Sequence, residues 1–255
     1  SIASLTIPNE ITILHHGVFY DCISLESIKI PAKLTTINVD AFGLCGSLSS
    51  IVVDASTPKY DSRNGCNAII ETSTNQLFRG CKNTVIPNSV TSIGNSAFID
   101  CNDMTSITIP NSITRIYTNA FCGCSNLESI SLPNSIKALD SYVFQNCNGL
   151  SSVILPNDVT KIEYGTFTGC RSLTDVFIPN SVTSIGSYAF RECSSLTSIT
   201  IPDKVTKIED GTFQSCYSLV SLSIPQSVTS IGNYSFQQCR SLTSIIIPNG
   251  VTNIG

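Results

Sequence analysis

The chain repeats itself every 23 residues, and this period restricts its possible folds more than any other feature. Ten of its 11 prolines form one series, in which every interval is 23 residues except that from Pro31 to Pro87, which is 56. Cysteines follow the same step, and a phenylalanine stands three residues before each of them. The repeated positions are Cys22, Cys45, Cys101, Cys124, Cys147, Cys170, Cys193, Cys216 and Cys239, with Phe19, Phe42, Phe98, Phe121, Phe144, Phe167, Phe190, Phe213 and Phe236. A unit this short cannot bury its own apolar side chains, so neighbouring units must stack.

Each unit contains two short extended segments. In the unit that begins at Cys193, residues 198–201 alternate polar with β-branched side chains, which is typical of a half-buried strand. Pro202 ends this strand because proline has no N–H to donate. Residues 205–208 form a second extended piece, and the rest of the unit has room for only one helical or 3₁₀ turn. We therefore predict a repeat solenoid, a right-handed coil with a parallel β-sheet on one face and short extended or 3₁₀ segments on the other.

One irregular repeat interrupts the period at about residues 45–86, where the chain gains ten residues over two regular units. Two segments there flank a polar Thr72-Ser73-Thr74, which predicts a β-hairpin that projects from the edge of the solenoid. If the turn centres on Ser73-Thr74, Cys66 and Cys81 lie opposite each other, and a cross-strand disulfide between them is a hypothesis. The whole chain, 1–255, is predicted to be a single solenoid domain that begins and ends partway through a repeat.

The repeated cysteines and phenylalanines are predicted to form interior columns, because stacked units place like residues on like. Cysteines in such a column have parallel Cβ vectors, which is poor geometry for disulfides, and a linear column offers no cluster of zinc ligands. A structural ladder of buried thiols packed against the phenylalanines is the favoured interpretation. No metal or cofactor is predicted.

Several function classes lack support in the sequence. The formal net charge is −4 and no basic block is present, which argues against a nucleic-acid partner. No apolar run has the roughly 18–20 residues that a membrane span needs. The only two histidines, His15 and His16, are adjacent, so they point to opposite faces of an extended segment. No nucleophile elbow or phosphate-binding glycine pattern occurs, so the protein is not predicted to be an enzyme.

The strand residues on either side of the buried isoleucine are expected to form an exposed sheet face, and most are Ser or Thr. The exceptions are the candidate ligand-binding residues, Lys29, Val52, Ile154, Asp175, Phe177 and Ile246. An aromatic residue such as Phe177 amid hydroxyls could anchor a partner, and Ile154, one unit earlier, should contact it. Tyr142, Tyr188 and Tyr234 recur every 46 residues, which indicates either a duplication of two units or a selected aromatic row.

The unit Cys-Ser-Ser-Leu-Thr-Ser-Ile-Thr-Ile-Pro, followed by Val-Thr-Lys-Ile and a Phe, resembles the BspA-like leucine-rich-repeat family over essentially the whole chain. The irregular segment from Tyr60 to Thr72 resembles the irregular repeat of bacterial members. This resemblance implies a leucine-rich-repeat solenoid that is secreted or held at the cell surface of a host-associated microbe. Characterised members of the family are adhesins that bind host matrix or plasma proteins.

The expected function is therefore a non-catalytic extracellular adhesion or protein-binding scaffold whose exposed solenoid face binds a protein ligand. Two alternatives stay open at this point. Hydroxyl-rich strands with scattered tyrosines suit glycan or cell-wall binding. Uncapped solenoid ends leave apolar surface open, which would suit self-association as a structural spacer.

Overall fold

The computed structural model describes residues 3–255, which form a solenoid of about 11 turns, here called coils. One long side, the front face, is built from the strands that precede the repeated prolines. Its strands are β1 (Ser4–Thr6), β3 (Ser27–Ile30), β5 (Ser50–Val53), β12 (Ser152–Ile154), β14 (Asp175–Phe177), β16 (Ser198–Thr200) and β18 (Ser221–Ser223). Single bridges, Thr108 to Ser131 and Ser129 to Ser152, continue this face between β5 and β12.

The opposite side, the rear face, is built from two-residue strands in the Val-Thr-x-Ile segments. These are β2 (Ile13–Leu14), β4 (Thr36–Ile37), β9 (Ser92–Ile93), β10 (Arg115–Ile116), β11 (Ala138–Leu139), β13 (Lys161–Ile162), β15 (Ser184–Ile185), β17 (Lys207–Ile208), β19 (Ser230–Ile231) and β20 (Asn253–Ile254). Strands of regular coils pair in parallel with partners 23 residues away, as in Ile154 with Phe177 and Ile162 with Ile185. The predicted parallel solenoid is confirmed.

A third side, the turn side, contains the segment from two residues before each repeated phenylalanine to one residue after its cysteine. The residue before each repeated cysteine has a positive φ, although only Gly123 and Gly169 among these nine are glycines. A short 3₁₀ helix, Val39–Phe42, occurs in the second coil. The turns close because two left-handed residues in a coil reverse the chain within a few residues.

The interior consists of columns of like side chains. Neighbouring phenylalanine rings are stacked from Phe98 to Phe236, with centroids 5.1–5.9 Å apart, and Phe19 stacks on Phe42 at 5.7 Å. Seven of the cysteine thiols donate to the carbonyl oxygen of the phenylalanine one coil earlier, at 3.0–3.2 Å. Each of these carbonyls also accepts the amide N–H of the cysteine three residues later in its own coil, so the thiol of the next coil is a second donor to the same oxygen.

The irregular coil contains the predicted β-hairpin, but its placement differs from the prediction. Strands β7 (Ile69–Glu71) and β8 (Gln76–Arg79) are antiparallel, and β6 (Tyr60–Asp61) pairs with β7. The hairpin does not project from the edge: β8 pairs in parallel with β9, so that Leu77 continues the column of Ile93. Burying Leu77 in that column is more favourable than leaving an apolar strand in water. The insert therefore takes a coil's place in the rear face.

The hypothesised disulfide between Cys66 and Cys81 is not formed, and both residues are free thiols. A register shift between Ile69 and Ile70 displaces the two hairpin strands by one residue before the cysteines are reached. Cys66 consequently packs in the larger core cluster and Cys81 in the smaller one. A one-residue slip turns side chains to opposite faces, which is why the pairing by number is wrong.

The hairpin also brings an arginine into the core. The Gly80 N–H donates to the Ala97 carbonyl at 2.8 Å. In other coils the N–H of the repeated phenylalanine makes the equivalent hydrogen bond, so Gly80 occupies the phenylalanine position and leaves the column without a ring there. Its neighbour Arg79 is only 1% exposed and donates to the carbonyls of Ser96 and Ile99 at 3.1 and 3.2 Å. A Cβ on Gly80 would lie 2.1 Å from Cε1 of Phe98. Phe98 has therefore moved into the space that a side chain at 80 would need.

Candidate functional site

The front face holds the candidate ligand-binding residues, and the structure brings some of them together. Ile154 and Phe177 are paired in register on adjacent strands, and Lys29 is paired with Val52 on two others. Ile246 is exposed in the last coils, far along the chain from the other candidates. Asp175 lies on the same strand as Phe177. The six candidates therefore form two groups and one separate residue, and nothing in their geometry joins all of them.

Ile154 and Phe177 form the most apolar of these groups, which we call the front patch. Their exposed fractions are 71% and 56%, whereas Val153 and Val176 between the outward positions are buried. Single exposed apolar residues are common, but an in-register pair in a column otherwise rich in Ser and Thr is not explained by core packing. The pair is held outward by the strand alternation that buries its neighbours.

A shallow groove of about 540 Å³ lies beside the front patch. Asp175, Phe177, Ser198 and Thr200 line it from two consecutive strands, with Asn157 and Asn180 at the proline turns. Asp175 forms no ion pair among the described residues, whereas Lys29 on the same face lies 3.9 Å from Asp54. The groove thus offers one aromatic ring, one open carboxylate and several hydroxyl and amide groups.

Sequence reasoning missed one exposed apolar residue of this face. Val85 is 72% exposed and precedes Ile86-Pro87, the position that Val52 and Phe177 occupy in their own coils. The irregular length of the preceding segment hid this equivalence, because counting in steps of 23 fails there. The repeated Ile-Pro pair, counted backwards from Pro87, is the signal that could have found it.

The tyrosines that recur every 46 residues lie on the turn side and have a structural explanation. Tyr142 and Tyr188 adopt φ of 59° and 58°, and the equivalent residues of the next coils are Gly165 and Gly211. A Cβ on Gly165 would lie 2.6 Å from Cε1 of Tyr142, and one on Gly211 would lie 2.4 Å from Cδ1 of Tyr188. The Tyr142 and Tyr188 rings therefore each cover a glycine of the following coil. Tyrosine and glycine alternate at this position from coil to coil, which gives the pattern its period of two coils.

The thiols have an environment that suppresses reactivity. Burial raises the pKa of Cys101 to about 11, and burial also raises the pKa of Cys147 and Cys193. Since the thiolate is the nucleophile and the metal ligand, such cysteines are chemically quiet near neutral pH. Within residues 3–255, no group of three or more His, Cys, Asp or Glu side chains is placed to hold a metal ion. The ladder of repeated cysteines thus contributes to the packing of the core.

Among the described residues, no helix is long and apolar enough to cross a bilayer.

A stack of short coils with parallel strands and a column of buried leucine, isoleucine and phenylalanine side chains defines a leucine-rich-repeat solenoid. The sequence pattern described as "BspA type Leucine rich repeat region (6 copies)" matches residues 1–72, 69–190 and 160–255. The chain belongs to this family. No match was found among curated proteins.

Solved structures with the same fold come from several bacteria. A leucine-rich repeat protein of T. pallidum is 30% identical, with a TM-score of 0.63 over 76% of this chain and 91% of that one. A leucine-rich cell surface protein of Faecalibacterium prausnitzii is 27% identical, with a TM-score of 0.61 over 96% of this chain and 64% of the other. A leucine-rich repeat protein of Eubacterium ventriosum shares the fold, with 20% identity, a TM-score of 0.69 and coverage of 98% and 62%. This chain thus spans under two thirds of the last two.

Proposed function

We propose that the protein is a non-catalytic binding scaffold, secreted or held at a cell surface, that takes a protein ligand on its front face at Ile154 and Phe177. Membership of the family and the likeness to a protein described as a leucine-rich cell surface protein support the scaffold role. The observation that carries the choice of face is the exposed, in-register pair of Ile154 and Phe177. Adhesion to host matrix or plasma proteins is the biological role that this proposal assigns.

The chemistry of the front patch suits a protein ligand. Aromatic residues dominate binding hot spots because a rigid ring buries much apolar area with little loss of conformational entropy. Fully burying a side chain such as Phe177 contributes about 1.5–3 kcal/mol. The hydroxyl and amide groups of the adjoining groove would form the polar rim around such an anchor.

The test uses variants that copy the chain's own column residues. Phe177→Thr copies Thr200, and Ile154→Ser copies Ser131, so both keep the strand pattern of the front face. Binding to an immobilised panel of extracellular matrix and plasma proteins is measured for each variant. We expect the affinity for any ligand bound by the parent to fall about tenfold for Phe177→Thr, since about 1.4 kcal/mol corresponds to a factor of ten.

Val52→Thr is the matched control, because it removes an exposed apolar side chain from the same column in a distant coil. Its affinity should stay within about twofold of the parent. Unchanged affinity in both front-patch variants would place the binding surface elsewhere. Failure of the parent to bind any protein on the panel would count against adhesion to host matrix or plasma proteins as its role.

A further inference from the structure

Three arginines lie on the turn side of the last coils, and two of them share one carboxylate. Arg171 and Arg240 each follow a repeated cysteine, and Arg191 follows the phenylalanine of the coil between them. The other residues that follow a repeated cysteine are uncharged: Ile23, Gly46, Asn102, Ser125, Asn148, Ser194 and Tyr217. In a chain of formal net charge −4, this is a local excess of positive charge.

Glu192 is the carboxylate in this cluster, and two guanidinium groups share it. Arg191 Nη2 lies 3.1 Å from Oε1, and Arg171 Nη2 lies 3.4 Å from Oε2. Arg240 forms no ion pair among the described residues, and its Cζ lies 4.9 Å from the centroid of the Tyr217 ring. One carboxylate therefore neutralises only part of the charge of three arginines, and an anion could replace water around the remainder.

A groove of about 290 Å³ lies between Arg171 and Tyr217 and is lined by these two residues together with Glu192 and Ser194. Tyr217 is partly exposed and presents its ring beside the groove, while Arg240 is held against that ring. A guanidinium held over an aromatic ring is pre-oriented, so less rotamer entropy is lost when it binds a ligand. The cluster combines an aromatic surface, a hydroxyl group, the guanidinium of Arg240, which forms no ion pair among the described residues, and two further guanidinium groups that share the Glu192 carboxylate. Guanidinium forks match the geometry of a planar or tetrahedral anion.

We propose that this arginine–tyrosine cluster, at Arg171, Arg191, Tyr217 and Arg240, is a second binding site, and that its ligand is an acidic polysaccharide. Guanidinium groups bind sulfate and carboxylate oxygens through paired hydrogen bonds. The apolar face of a pyranose ring packs on a tyrosine such as Tyr217, and Ser194 can hydrogen-bond a sugar hydroxyl. An open groove with no deep apolar pocket favours a hydrated polymer over a peptide that needs to bury side chains. This site lies off the front face and is independent of the protein-binding proposal.

The experiment uses a heparin-derived octasaccharide as the sulfated probe and a hexamer of galacturonate as the carboxylated probe. Uncharged dextran of similar length and an octaglutamate peptide serve as comparison ligands. The variant Arg171→Ser/Arg240→Ser removes two cations, and Tyr217→Ser copies Ser194. The control Lys161→Ser/Lys207→Ser removes the same charge from exposed rear-face positions. Circular dichroism and thermal unfolding establish that each variant keeps its fold.

We expect the parent chain to bind at least one acidic oligosaccharide, with affinity falling as salt rises. The double arginine variant should weaken this binding at least tenfold, Tyr217→Ser severalfold, and the lysine control less than about threefold. Equal weakening by the arginine and lysine variants would show a net-charge effect and overturn the site. Absence of binding by the parent would overturn it as well. Octaglutamate bound as tightly as the oligosaccharides, with the same variant response, would assign the site to acidic proteins instead.

Discussion

Replacing Gly165 with alanine tests whether tyrosine rings and glycines of successive coils are locked together. Gly165 has φ of +61°, and alanine in this left-handed region costs about 1–2 kcal/mol. Its Cβ would also lie 2.6 Å from Cε1 of Tyr142, so the ring must leave its rotamer at a cost of about 0.5–1.5 kcal/mol. We therefore expect Gly165→Ala to lower the free energy of unfolding by about 1.5–3.5 kcal/mol.

A double-mutant cycle separates the two contributions. Tyr142→Asn copies Asn119, which holds φ of 58° at the equivalent position without a ring. In that background Gly165→Ala should cost mainly the backbone strain, about 1–2 kcal/mol, because the one tight contact left to its Cβ, Thr168 Oγ1 at 3.2 Å, needs only a small shift. Urea unfolding followed by far-ultraviolet circular dichroism measures all four proteins, with the transition slope checked for each because solenoids can unfold in stages.

Gly65 provides the matched control for this cycle. It has φ of +63°, yet an added Cβ would meet nothing within 4 Å. Gly65→Ala should therefore show the backbone cost alone, whichever residue stands at 142. If Gly165→Ala lost the same stability with tyrosine and with asparagine at 142, the proposed contact between ring and glycine would be refuted.

Three further outcomes follow from the core. Burial raises the pKa of the Asp100 carboxyl, and this effect outweighs the lowering effect of Arg79, so ionisation of Asp100 destabilises the fold. Asp100→Asn should therefore be more stable than the parent at pH 7. Urea titrations should show this gain in stability disappearing below about pH 3.8, where the carboxyl is protonated in both the folded and the unfolded chain. Phe144→Ala should lose about 3–5 kcal/mol in the same assay, whereas Phe19→Ala, which removes a partly exposed ring stacked on one side, should lose less. Iodoacetamide at pH 7.5 should label most of the 12 cysteines only after denaturation, and mass spectrometry counts the labelled residues. Rapid labelling of Cys147 or Cys193 in the native protein would contradict their burial.

The regular coils could be predicted from the sequence because one short unit determines its own neighbours. With a 23-residue period, the contact between Ile154 and Phe177 follows from adding 23, and their pairing was found in that register. The same reasoning places each phenylalanine ring beside the next. No long-range choice has to be made in this part of the chain, so local pattern and tertiary structure coincide.

The irregular coil could not be predicted in the same way, because its strand pairing competes with alternatives of similar local pattern. Whether β8 projects or joins the rear face depends on its pairing with β9. The 23-residue period does not predict this tertiary contact, because the irregular segment does not follow the period. The bulge beside Ile69 and the burial of Arg79 follow from that pairing. The 46-residue recurrence of Tyr142 and Tyr188 was visible in the sequence, but its cause lies in backbone φ values that the residue names do not reveal.

The gap at Gly80 has a mechanical consequence. Rings stack continuously from Phe98 onward and from Phe19 to Phe42, but between these stacks lies a charged arginine head that is held only by carbonyl oxygens. When the rod is stretched or bent, shear should concentrate at this joint, since an interface without ring-to-ring contact yields at lower load than the segments on either side. In a single-molecule pulling experiment, the coils that precede Arg79 should therefore detach and unfold first. The coils from Phe98 onward should still be folded at that load.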